Sequence, residues 1–450
     1  MRPVDGPALD RLYLEHVASL ETSYGMSLAR TGWDAVVVHS GKPTRRSPFD
    51  DQFWPLRPVP HWQHWVPLRE ADCALVVRPG RRPVLLRPVE QSFWERSAPP
   101  ETQAVHRAFE VVDLVPTTRL NDYIGTGRVA YIGDDPSGAE RWGVPAERIN
   151  PSPLIAALDA LRVLKTPYEV ACIVEANRKA QAGHEALRNL FRAGAPSELD
   201  MHLAYLRATA QDDWETPYKN IVALGPNAAT LHHVAYGRSG SGLETESLLV
   251  DAGATCRGYA ADITRTWVKG TSATASVFAA LVAAVDSLQR TLCNAVRRGM
   301  AYESLHDQAH PLVATALRNA GVWRGSVEEG VDTGVTRAFF PHGLGHSLGL
   351  QTHDVGCALR RPRTENAFLR NTADVQAGQV FTVEPGIYFI AALLDPLRAS
   401  PGGRLVDWTA VDALAPLGGI RIEDDLHVEV DSPTVRNLTR EVLPVGGGSP

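Results

Sequence analysis

Four strand-like apolar runs in this chain each carry acids that burial of the run would take out of water. Ser247-Leu248-Leu249-Val250 ends on Asp251, Tyr259 to Trp267 contains Asp262, Val380-Phe381-Thr382-Val383 leads into Glu384, and Ile420-Arg421-Ile422 leads into Glu423. Period-two alternation puts Phe381 and Val383 on one face and Thr382 and Glu384 on the other. The same count groups Ile420 with Ile422, Arg421 with Glu423, and Asp262 with Thr264 and Thr266. A hairpin across the 11 residues from Asp251 to Asp262 would bring those two acids together. Carboxylates that close repel, and the arrangement is tolerated only around a cation or with a proton between them. The fold therefore has to gather these strands around one charged point.

The stretch from Pro341 to Asp354 supplies imidazoles, His342, His346 and His353, spaced by glycines that let backbone approach a ligand closely. A lone histidine is more often a hydrogen-bonded core residue, but here acids elsewhere complete a site. Two Asp, two Glu and one His make an oxygen-rich donor set that suits a pair of divalent ions such as manganese or cobalt, not a thiolate-bound structural zinc. Four carboxylates balance the charge of two dications.

Before this region, residues 1–165 alternate short apolar runs with polar or helical stretches: Ala35–His39, Ala74–Val77, Val84–Leu86, Val111–Val112 and Ala130–Ile132. That pattern predicts a smaller α/β domain. Between the first two runs, Phe49 to Pro55 and His61-Trp62-Gln63-His64-Trp65 are too aromatic for a plain linker; they form either a loop packed on its own rings or an interface. Thr166-Pro167-Tyr168-Glu169 combines an N-cap hydroxyl, proline at the first helical position and a glutamate three residues after the cap, so a long helix and a second domain, 166–450, should begin there. Helices are also expected over Met201–Gln211 and Ala273–Met300, and Ala391–Gly419, with its Pro and Gly, should be a surface excursion.

A net charge of -6 leaves no basic surplus for nucleic-acid phosphates. The 5 cysteines are scattered without a CxxC spacing, which fits a reducing compartment. No signal peptide opens the chain and no run reaches the length of a bilayer span, so a cytoplasmic protein with no membrane partner is expected.

In order and within their motifs, Asp251, Asp262, His346, Glu384 and Glu423 resemble the five metal ligands of the pita-bread metallopeptidases. The group includes methionine aminopeptidase, aminopeptidase P and prolidase; the likeness is closest to bacterial Xaa-Pro dipeptidases, related to organophosphorus-acid anhydrolases, and runs from His39-Ser40-Gly41 through Gly418–Asp424. It implies an α+β fold in which a pita-bread catalytic domain follows a smaller amino-terminal domain. It also implies two divalent ions, manganese, cobalt or zinc, with Asp251 on one, His346 and Glu384 on the other, and Asp262 and Glu423 bridging. By the same likeness Glu384 is the general base, His353 and His232 are substrate-side histidines, and His342 and Arg421 support the site from behind.

Tyr218 falls in the family's pocket-lining segment, Arg370 matches an arginine that grips the dipeptide's free carboxylate, and Asp51 corresponds to a residue lent across a homodimer. The chain departs from the family around Asp51, which is richer in Trp and His, and at His233, where a tyrosine is usual. The implied activity is hydrolysis of dipeptides with carboxy-terminal proline, with organophosphate cleavage as a side activity. An aminopeptidase P acting on longer peptides, and a non-catalytic peptide-binding protein that kept the fold, are the alternatives.

Overall fold

The computed structural model describes residues 6–88, 103–114, 121–125, 127–194, 197–240, 245–432 and 434–448. The chain forms two compact units, divided between Cys172 and Ile173.

The amino-terminal unit contains strands β1 (Ala35–His39), β2 (Ala74–Val77), β3 (Val84–Pro88), β4 (Glu110–Leu114) and β5 (Val129–Ile132). These are the five apolar runs expected to be strands, in the order β4-β3-β2-β1-β5. β1 pairs parallel with β5 and antiparallel with β2, and every residue of β1, β2 and β5 is buried, so these strands need apolar side chains on both faces. The helix Gly6–Thr31 buries Leu9, Tyr13, Val17, Leu20, Tyr24 and Leu28, one stripe at helical spacing.

His61 to Trp65 is not a loop: Pro60–Trp65 is a short helix with Trp62 and Trp65 buried, and Trp62 donates from Nε1 to the Leu68 carbonyl at 2.9 Å. Upstream, Phe49, Phe53 and Trp54 stay exposed beside the Arg45–Phe53 bridge. The helix Pro167–Ala193 begins as its sequence implies, with Glu169 N–H donating to Thr166 Oγ1 (3.4 Å) and Thr166 N–H to Glu169 Oε2 (2.8 Å).

The second unit holds β6 (Ile221–Leu224), β7 (Ser247–Asp251), β8 (Thr255–Cys256), β9 (Tyr259–Ala260), β10 (Thr264–Val268), β11 (Val380–Val383), β12 (Gly386–Tyr388), β13 (Gly419–Arg421), β14 (Asp424–Val428), β15 (Val435–Asn437) and β16 (Gly447–Gly448). They form sheets in the orders β16-β10-β7-β6 and β11-β14-β15, with the pairs β12-β13 and β8-β9. Helices Ala273–Ala295 and Tyr302–Asn319 bury apolar faces in the largest core, which includes Phe278, Val282, Leu305, Val313, Phe381, Ile387 and Ile420.

Several expectations are corrected here. The helix expected over Met201–Gln211 runs Glu198–Thr209, because Ser197 and Asp200 build a capping box and Ala210 turns left-handed at the C-cap. The helix expected to reach Met300 stops at Ala295, and the chain turns at Gly299, left-handed at φ +81°, where Gly299 N–H donates to the Val375 carbonyl and Val375 N–H to the Met300 carbonyl. By length and composition Ala273–Ala295 is apolar enough to cross a bilayer, but its Phe278, Leu281, Val285 and Leu292 are buried in the core. Nor is 391–419 a surface excursion: Leu394, Leu397, Val411 and Leu414, on the helices Ala391–Arg398 and Trp408–Leu414, and Val406 and Leu417 beside them all join that core.

Candidate metal centre

The strand-like runs 259–267 and 380–388 are each interrupted at an acid. Val383 pairs with Asp424 and Gly386 pairs with Arg421, so the gap at Glu384-Pro385 lies opposite the gap at Ile422-Glu423. Pro385 has no N–H to donate, so a break falls naturally beside it. Glu423 bridges instead to Thr264, which is also the register partner of Asp251, and Asp262 sits in the break between β9 and β10. Matched interruptions thus aim the four acids at one another.

Backbone contacts hold these turns in place. Asp262 N–H donates to Asp425 Oδ2 (3.2 Å), Glu423 N–H to the Thr264 carbonyl (3.1 Å) and Glu384 N–H to the Leu344 carbonyl (2.8 Å). His346 N–H donates to Thr382 Oγ1 (3.2 Å), while a Cβ on Gly345 would lie 2.1 Å from the Thr382 carbonyl oxygen. Only glycine permits that approach between the histidine run and β11.

His346 Nε2 lies 3.5 Å from Asp262 Oδ2, 3.7 Å from Glu384 Oε1 and 3.9 Å from Glu423 Oε1. Its Nδ1 is 3.1 Å from the Ser347 carbonyl, to which it donates, so Nε2 is the nitrogen that faces the acids. Tyr218 Oη is 2.7 Å from Asp251 Oδ1 and 2.5 Å from Asp262 Oδ1, so the tyrosine tethers the aspartate pair as well as lining the pocket. Arg421 spends all three nitrogens: Nη2 on Asp251 Oδ2 (2.5 Å), Nη1 on Tyr388 Oη (2.9 Å) and Nε on Thr264 Oγ1 (3.1 Å). Thr264 Oγ1 in turn donates to Glu423 Oε2 at 2.7 Å.

The electrostatics are those of too many acids in too little water. Burial, then the charges of Asp262, Glu384 and Asp251, pushes Glu423 well above the carboxylate range. Burial likewise lifts Glu384 to about 7 and raises Asp251 against the opposing charge of Arg421. Burial works against Asp262 too, but the hydrogen bond and charge from His346 outweigh it and Asp262 ends below its ordinary value. His346 rises to about 9 although burial opposes it, because Asp262 and Glu384 favour positive charge on the ring. The group calls for cations where protons now sit.

The donor set fits divalent ions. Ligand atoms of Asp262, His346 and Glu423 all lie within 4.8 Å of one another. Asp251, with both oxygens already hydrogen-bonded, keeps a second lone pair on each for a metal.

Around this group, His342 accepts at Nε2 from Tyr388 Oη (2.8 Å) and donates from Nδ1 to the Gly343 carbonyl (2.8 Å), with Nδ1 3.7 Å from Glu384 Oε2. Burial, then Arg421, pushes His342 down to about 3, so the ring is neutral. The His353 ring stands 4.4 Å from that of His346, edge to face, and partial burial followed by the charges of His346 and Arg370 lowers it to about 4. His232 and Arg370 are both exposed; the charge of His232 bears on His342 and His353, and that of Arg370 on His353. Asp51 belongs to the amino-terminal unit, where it is exposed. Sequence reasoning grouped Thr264 with Asp262 but gave it no role, and it missed Tyr388, which alternation from Glu384 could have found.

A buried cluster of acids around one imidazole at matched strand breaks defines a metal-dependent hydrolase. The chain belongs to metallopeptidase family M24, which residues 171–429 match, while residues 11–160 match the Xaa-Pro dipeptidase N-terminal domain. The Xaa-Pro dipeptidase of Marinobacter nauticus is 40% identical over 431 residues, 95% of this chain and 97% of its own. That of Pseudoalteromonas atlantica is 36% identical over 444 residues, covering 96% and 99%. Among solved structures, a Pseudomonas aeruginosa aminopeptidase superposes with a TM-score of 0.72 over 96% of this chain and 95% of its own at 20% identity, a likeness of fold. The architecture is the pita-bread fold preceded by the family's amino-terminal domain.

Proposed function

We propose that this protein is an Xaa-Pro dipeptidase, removing a carboxy-terminal proline from dipeptides. Similarity to Xaa-Pro dipeptidases over nearly the whole chain carries the reading, in a sequence that keeps all five candidate ligands. In this reading Asp251, Asp262, His346, Glu384 and Glu423 hold two divalent ions, of which manganese best suits the oxygen-rich set. Such ions supply Lewis acidity, polarising the scissile carbonyl and making water nucleophilic at neutral pH.

Glu384 is the group that would take the proton of the attacking water and deliver it to the proline nitrogen as that bond breaks. His353 and His232 donate to the oxyanion and hold the substrate. Arg421 and Tyr218 keep Asp251 oriented from behind. Arg370 receives the free carboxylate one residue beyond the cut bond, through a two-pronged hydrogen bond that lysine cannot reproduce.

Residues 1–165 would serve dimer formation, with Asp51 and the exposed Phe49, Phe53 and Trp54 meeting the second subunit. Five cysteines, all free, fit a reducing cytoplasm.

The test is turnover of Ala-Pro, Leu-Pro, Ala-Pro-Ala and Ala-Ala by the manganese-loaded protein. Xaa-Pro dipeptides should dominate. Preference for Ala-Pro-Ala would move the assignment to aminopeptidase P, and no turnover of any would sink it.

A further inference from the structure

Glu198 lies outside the acid cluster, at the first position of the helix Glu198–Thr209, and is 2% exposed. Its carboxylate makes four hydrogen bonds. Oε1 accepts from Leu224 N–H (2.9 Å) and Asn227 Nδ2 (2.8 Å), and Oε2 accepts from Gly237 N–H (2.7 Å) and His233 Nε2 (2.8 Å). Leu224 closes β6, and Gly237 lies at the far end of the segment that follows it. One buried side chain therefore clasps both ends and the middle of residues 224–237. Two further contacts repeat the clasp: Leu199 N–H donates to the Gly237 carbonyl (3.2 Å), and Tyr236 Oη donates to the Asn220 carbonyl.

His232 rides on this segment, next to the clasped His233. Its own side chain is exposed, and Glu198 holds backbone N–H groups on both sides of it, at Leu224 and Gly237. The neighbouring substrate-side group, His353, and the supporting His342 both feel its charge. Burial raises Glu198, but the bonds from Gly237, Leu224, Asn227 and His233 outweigh it and the carboxyl falls below its ordinary value, so it remains an anion that accepts all four. His233 is the residue that stands where the family resemblance calls for a tyrosine, and its bond to Glu198 gives that departure a physical meaning.

We propose that Glu198 is a positioning residue for His232, clasping residues 224–237 through Leu224, Asn227, His233 and Gly237 so that His232 is held over the metal centre. This rests on the reading of His232 as a substrate-side group. The aim required of a donor to a developing oxyanion is strict, and a displacement of about 1 Å lowers turnover by about 100-fold. Residues 225–229 also pack against β7 and β13, so it is beyond them, where His232 lies, that the segment depends on the clasp at His233 and Gly237 and on the Leu199 and Tyr236 contacts.

A double-mutant cycle tests the assignment. Glu198→Ala should lower kcat/KM for Ala-Pro by about 100-fold, mainly in kcat, with bound metal unchanged. Glu198→Gln should recover part of the activity, because its amide oxygen still accepts from Leu224 and Asn227 while its NH2 faces the Gly237 N–H. In a His232→Ala background either substitution should cost less than about threefold, since the group it aims is gone. Equal losses in both backgrounds, or loss of metal, would overturn the positioning role.

Hydrogen exchange reads the clasp with no substrate at all. Amides of residues 224–237 should lose protection in Glu198→Gln while those of β7 and β10 keep theirs, and unchanged protection would also overturn the proposal. Parent enzyme inactive on every Xaa-Pro dipeptide would instead refute the functional reading, with the exchange result still deciding the clasp.

Discussion

Replacing Thr264 by valine asks whether the strand register, beyond the ligands themselves, sets metal affinity. Thr264 is fully buried, and its hydroxyl stands between two charges: it donates to Glu423 Oε2 at 2.7 Å and accepts from Arg421 Nε at 3.1 Å. Valine keeps the branched shape but leaves one oxygen of Glu423 and one N–H of Arg421 unpaired in a dry site. A hydrogen bond to a charged group contributes about 1.5–3 kcal/mol. Loss of a partner that orients a metal ligand typically costs about 10–100-fold in affinity, or about 1.4–2.7 kcal/mol.

The two estimates agree, so the variant should bind manganese about 10–100-fold more weakly while folding to the same structure. Competition against a chromophoric chelator, with metal content checked by elemental analysis, measures this directly. Affinity within about twofold of the parent, alongside a lowered unfolding midpoint, would refute the reasoning and make Thr264 a support of the fold alone.

Arg370→Ala should lower kcat/KM for Ala-Pro by about 2–4 kcal/mol, the scale for breaking a desolvated charge pair, and leave Ala-Pro-amide nearly unaffected; equal losses on both would assign Arg370 to the fold. The pair His306 and His310, buried edge to face at 4.9 Å, contributes to acid stability. Burial lowers His306 to about 4 against 6.5 when unfolded. Between those values the unfolded chain binds more protons, so this stability is present above pH ~6.5 and is lost as pH falls toward ~4. His306→Phe should therefore flatten the acid limb by about 3 kcal/mol at pH ~4 in urea unfolding, and an unchanged limb would contradict it.

What could be read from residues alone follows the range of the forces involved. Apolar alternation placed Asp251 and Thr264 on strands because a strand's faces repeat within a few residues, and the N-cap at Thr166 was legible for the same local reason. The gaps at Asp262 and at Glu384-Pro385 were not, since each exists to match a break in a strand distant in sequence. Glu198 carries no local mark: it looks like any first-turn glutamate until Leu224, Asn227, His233 and Gly237 close on it. Residues 391–419 misled because their Pro and Gly suggest a loop, while the spacing of Leu394, Leu397, Val411 and Leu414 that buries them is spread over two short helices.

The central claim is that buried acids and one imidazole hold the ions on which proline-dipeptide hydrolysis depends. Metal-stripped protein, verified by mass spectrometry, should be titrated with manganese while kcat/KM for Ala-Pro is followed. Activity should start near zero and rise to a plateau at two ions per chain, and Glu423→Ala should never reach it. Full turnover by the verified metal-free protein would contradict the account.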